Sequence, residues 1–146
     1  MLCKARYNSG FRQFWIQANP MSIERILHEG PPSPRGPYSS VVRAGGFLFV
    51  SAVGAIGEDN KLSPGDVQHQ TRLTLLNLQK LLADGSATLE DVVKCSVFLR
   101  DAKDFPAMNE VYAEVFGTIK PARTTVEAAF FQAEMRVMMD CIAYKP

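Results

Sequence analysis

Apolar and polar residues follow two different periods along this chain, and the switches between them divide it into elements. Residues 23–28 form a short strand-like stretch. The segment GPPSPRGPYS follows, a loop because its prolines fix φ and withhold backbone donors. Residues 41–44 and 47–51 are apolar and β-prone on either side of Gly45-Gly46, a pair suited to the positive φ of a tight turn, so a hairpin is expected. Gly54, Gly57 and the polar EDNK run end this sheet segment. Asp66 can cap a helix reaching about residue 83, with Val67, Thr71, Thr74, Leu78 and Leu81 on an inward stripe and Gln68, Arg72 and Lys80 in water. Gly85 is its expected stop.

Over residues 92–99 the period becomes two, with Val93, Cys95, Val97 and Leu99 alternating against Lys94, Ser96 and Phe98. A second helix should begin at an Asp104 cap with Pro106 in its first turn. Met108, Tyr112, Val115 and Phe116 recur at helical spacing up to Gly117. Strand-like residues 123–130 and 136–144 finish the chain. This order predicts an α+β domain in which two helices cover one face of a sheet. Leaving the other face wet costs about 25 cal/mol per Å² of apolar surface, so subunit association is expected to cover it.

The first twenty residues, MLCKARYNSGFRQFWIQANP, show neither period and contain no acid. They are expected to be an extension over residues 1–20, either an upstream or cloning-derived start ahead of Met21 or a transit peptide, with the domain proper over 21–146. A secretory signal would need a continuous apolar centre, which this segment lacks.

A chain of 146 residues fits one domain, and 47% hydrophobic with 21% charged residues is a globular composition. The net charge of +1 and the lack of a Lys/Arg run set nucleic acid aside as a main partner. Cys3, Cys95 and Cys141 are an odd number at distant positions, which points to a reducing, cytoplasmic setting and to no metal. His28 and His69 do not cluster with other ligands. No apolar run approaches the roughly 18 residues of a membrane span, and no Gly-rich phosphate loop joins a strand to a helix, so neither membrane nor cofactor is expected.

Four ordered segments, GPYSSVV at 36–42, FVS at 49–51, NEVYAEVFG at 109–117 and PAR at 121–123, resemble the RidA (YjgF/L-PSP) family. The intervening QTRLTLLNLQKLL and DVVKCSVFL extend the resemblance over nearly everything after Met21. It implies a chorismate-mutase-like α+β fold and a homotrimer with sites between subunits. It also implies deamination of reactive imines, of the 2-iminobutanoate/2-iminopropanoate type.

Arg123 matches the family's carboxylate-binding arginine, a planar fork suited to bidentate pairing at any working pH, and is the candidate catalytic residue. Thr125 and Glu127 share its face by the two-residue period, so Thr124 and Val126 are expected to point toward the helices. Tyr38, Ser51 and Asn109 match positions that line or support the cleft. Ala52 stands where the family usually has glycine, and Thr125 where many relatives carry cysteine. Met138 replaces the glutamate that orients the attacking water, so general-base help from that position should be missing. Asp140 lies on the same strand face, and Met135 and Met139 are expected either to soften the pocket with Met138 or to pack at a subunit interface. Three readings follow: a deaminase of 2-imino or 2-enamino acids, a non-catalytic sensor of small carboxylates or keto acids, and an L-PSP-type endoribonuclease or translation inhibitor.

Overall fold

The computed structural model describes residues 22–146. The expected extension over residues 1–20 lies outside them. Strands β1 (Ile23–Ile26), β2 (Val41–Ala44) and β3 (Phe47–Gly54) precede helix α1 (Val67–Asp84), strand β4 (Val92–Leu99), helix α2 (Phe105–Phe116) and strands β5 (Ala122–Glu127) and β6 (Val137–Tyr144). The six strands make one sheet in the order β1-β2-β3-β6-β4-β5, antiparallel except for the parallel β4/β5 pair.

Local chemistry accounts for most boundaries. Gly45 takes φ +59° in the β2–β3 turn. Asp66 caps α1 by accepting from the His69 amide at 2.8 Å, and the Gly85 amide closes the other end on Leu82 and Ala83 carbonyls. The stripe Val67, Thr71, Thr74, Leu78 and Leu81 is buried as its spacing predicts. Both helices lie on one sheet face, over a core that includes Leu48, Val97, Met108, Val137 and Met139.

Several expectations are corrected. β1 ends at Ile26, and β5 ends at Glu127, leaving residues 128–130 as loop. β3 continues to Gly54 because a bulge between Val50 and Val53 opposes Ser51 and Ala52 to a single residue of β6. That extra residue rephases the strand, so Val50 and Val53, three apart, both face the core. Val93 is exposed, not on the inner face with Cys95, because the β4–β6 register shifts between Val92 and Lys94. Asp104 occupies the cap position of α2 without capping it, since its carboxylate takes a two-pronged contact from Arg136 at 2.7 and 3.1 Å.

The largest correction concerns β5. Its register sets Arg123 beside Cys95 and Thr125 beside Val97, both buried under the helices. Arg123 and Thr125 therefore face the helices, while Thr124 and Val126 lie on the open face, where Lys94 Nζ donates to Thr124 Oγ1 at 2.7 Å. Met138 and Asp140 are on that open face too, paired with Phe98 and Ser96. Met139 is fully buried on the helix side, so the three methionines do not act together.

Candidate active site

One cavity of about 510 Å³ opens at the end of the sheet where the β2–β3 hairpin, the proline-rich loop and residues 128–135 meet. Tyr38, Ser51, Ala52 and Met138 of the expected site line it. Arg123, Thr125 and Asn109 do not. Within one chain Met138 and Arg123 are on opposite sheet faces, so their meeting in a single intrachain cleft is ruled out by strand register.

The bulge positions the first group. Ser51 donates its amide to the Ser40 carbonyl at 2.9 Å and its hydroxyl to the Ser39 carbonyl at 2.8 Å, which ties the loop carrying Tyr38 to β3. Tyr38 is half exposed, and its hydroxyl accepts from the Arg35 amide at 3.2 Å. Among the described residues Arg35 is the only charged one lining the cavity, and its guanidinium donates to the Asn60 carbonyl. Met135 seats its methyl over Gly54, where a Cβ would meet it at 2.9 Å.

The second group gathers on α2. The Arg123 guanidinium carbon lies 4.6 Å from the Tyr112 ring centre and 5.7 Å from that of Phe105. Asn109 is four residues after Phe105 and three before Tyr112, so helical spacing sets it on the same stripe. None of the ion pairs among the described residues engages Arg123. The Thr125 hydroxyl is buried with no hydrogen-bond partner among them. Burial pushes the neighbouring Cys95 thiol up to about 11, so this cysteine is no thiolate nucleophile.

Sequence reasoning missed the residues that hold the cavity wall. Gln70, fully buried on α1, donates to the Glu134 carbonyl and accepts from the Arg136 amide, both at 2.8 Å. Asn77, also fully buried, donates to the Gly54 and Ile56 carbonyls at 3.0 and 2.8 Å. Arg100 donates to the Met135 and Gln132 carbonyls at 2.6 and 2.5 Å and lies 5.3 Å from the Phe130 ring centre. The available signal was two amides on the inward stripe of α1, which must find partners if buried. His28 pairs with Asp84 at 2.7 Å and His69 with Ser63 at 2.8 Å, and neither lines the cavity.

The family model described as Endoribonuclease L-PSP matches residues 29–145. A RutC family protein of Pyrococcus horikoshii is 43% identical over 125 residues, covering 84% of this chain and 98% of that protein. The chloroplastic Reactive Intermediate Deaminase A of Arabidopsis thaliana is 33% identical over 134 residues, 91% of this chain and 72% of that one. The solved structure of E. coli TdcF with bound serine matches with a TM-score of 0.76 at 28% identity, over 84% of this chain and 100% of that chain. The chain belongs to the RidA (YjgF/L-PSP) family and has its α+β fold. No helix among the described residues is long and apolar enough to cross a membrane.

Proposed function

We propose that this protein hydrolyses reactive 2-imino and 2-enamino acids to ammonia and a 2-keto acid, in a site completed between subunits of a homotrimer. The observation that carries the reading is Arg123, set over the rings of Tyr112 and Phe105 with no carboxylate of its own among the described residues. A fork so placed suits a substrate carboxylate. The open sheet face supports association: Phe47, Phe49, Val93 and Tyr144 keep between 45% and 46% of their surface exposed in one chain. Association would bring Arg123, Asn109 and Thr125 of one subunit against the cavity with Tyr38, Ser51, Ala52 and Met138 of another. The similar proteins, a deaminase of reactive intermediates by name and a structure holding serine, agree with a small amino-acid-like ligand.

In the reaction, water adds to the imine carbon, the C–N bond breaks, and R–C(=NH₂⁺)–COO⁻ plus H₂O yields R–CO–COO⁻ plus NH₄⁺. Arg123 fixes the carboxylate, and the site contributes chiefly by positioning, because Met138 cannot take a proton. A reducing compartment such as the cytosol is part of this reading, supported by the free, buried Cys95 and Cys141.

Met138 also favours a second reading, a sensor that binds keto acids without turnover. Ribonuclease chemistry has less support, because among the described residues Arg35 is the only charged one in the cavity lining. The test is ammonia release from imines generated in situ by an amino-acid oxidase. Arg123→Ala should lower keto-acid affinity and turnover roughly ten- to a hundredfold. Met138→Glu should raise turnover at least about tenfold. Binding that depends on Arg123 without wild-type turnover supports the sensor; indifference to Arg123→Ala removes the arginine from the site. Sedimentation equilibrium showing a stable micromolar monomer would remove the composite site.

A further inference from the structure

Resting on the deaminase reading, the cavity carries a statement about which imines it takes. We infer that it selects 2-imino acids bearing a large apolar side chain, branched aliphatic or aromatic, over those bearing a methyl or ethyl group.

Size is the first reason. Even at about 30 Å³ per heavy atom, the share of one water in the liquid, the six heavy atoms of 2-iminopropanoate fill roughly 180 Å³. Within one subunit the cavity measures about 510 Å³, well above that figure, which leaves room for a side chain. The second reason is lining. Arg35, Gln132 and four hydroxyl residues make up its polar lining; the rest is apolar, with Phe98, Phe130, Met135 and Met138 as the large side chains and Phe131 fully exposed beside them. The apolar part of this wall gives no hydrogen bond to a polar side chain and gains by covering an apolar one.

The third reason is that the wall is held open. Arg100 clamps the Gln132 and Met135 carbonyls and stacks on Phe130, while Gln70 holds Glu134 and Arg136. A ligand entering it does not first have to order the loop. Met138 makes the wall continuous, since a carboxylate at that position would need water or a donor inside an apolar pocket. Its flexible thioether can instead follow differently shaped side chains.

The inference constrains the supplying reaction. An intact apolar side chain has no leaving group on its β carbon, so β-elimination cannot make such an imine. A two-electron oxidation of the amino acid does, its hydride passing to a flavin-class acceptor.

The test uses the full chain and measures enzyme-dependent ammonia release from the imines of alanine, leucine and phenylalanine, together with calorimetric binding of pyruvate, 4-methyl-2-oxopentanoate and phenylpyruvate. Each buried methylene should add about fourfold, so kcat/KM should rise at least about tenfold from the alanine to the phenylalanine imine. Phe131→Ala, at an exposed position where folding is not at stake, should narrow that ratio at least about threefold. Equal rates, or faster turnover of the alanine imine, overturn the selectivity and leave the deaminase standing. No turnover, with keto acids bound in the predicted order, overturns the deaminase and supports the ligand class. Neither turnover nor binding overturns both.

Discussion

Asn77→Ala probes the joint between α1 and the floor of the cavity. The side-chain amide is fully buried and donates to the Gly54 and Ile56 carbonyls at 3.0 and 2.8 Å, and both of those residues line the cavity. Each lost hydrogen bond is worth about 1 kcal/mol net; the Gly54 carbonyl still accepts from the Ile56 amide at 2.9 Å, so only the Ile56 carbonyl loses its partner, which adds about 1–3 kcal/mol. Asn77 Oδ1 is itself buried without a donor among the described residues, so removing it returns part of that cost. The balance is a destabilisation of about 2–4 kcal/mol, or on the order of 10 °C in Tm for a domain of this size. Asn77→Asp keeps the shape without the donors and should lose at least as much. Thermal unfolding by circular dichroism at one protein concentration, with guanidinium titration to show an unchanged m-value, measures the effect. A shift below about 2 °C for Asn77→Ala would show that these contacts do not hold the floor.

Three further outcomes are expected. Tyr112→Leu should weaken keto-acid binding roughly 2- to 30-fold by removing the ring under Arg123, whereas Tyr112→Phe should stay within about twofold; equal affinities of the two variants in a calorimetric titration would show that the ring face does not position the guanidinium. Asp91 is held below the usual carboxylate range, first by the Thr88 amide at 2.9 Å and then by Lys145 at 3.2 Å. Its stabilisation is present above the ordinary carboxylate range and lost as pH falls through the lowered folded value, so the stability gap to Asp91→Asn should close on acidification; a gap constant with pH in denaturant titrations contradicts this. Burial pushes the Cys95 thiol up to about 11 and Cys141 higher still, so in a Cys3→Ser background both should resist a thiol reagent until the protein unfolds, and rapid native-state labelling would refute the burial.

The hairpin at Gly45-Gly46, the Asp66 cap and the buried stripe of α1 were legible in the sequence because each depends on residues within a turn or two of one another. So was family membership, carried by ordered segments such as GPYSSVV and PAR. The faces of β5 were not. A two-residue period says that Arg123 and Thr125 share one side, but which side is inward follows from pairing with Cys95 and Val97 on β4 and from α2 lying above them. The bulge at Ser51 and Ala52 is likewise decided by β6, which offers one residue opposite two. Gln70, Asn77 and Arg100 acquire their roles only when carbonyls distant in sequence are brought to them. Local periodicity and capping chemistry determined the elements and the class of this protein, whereas tertiary structure decided register and the partners of buried polar groups. Those depend on the strand or loop that packing brings alongside, which no local stretch of sequence encodes.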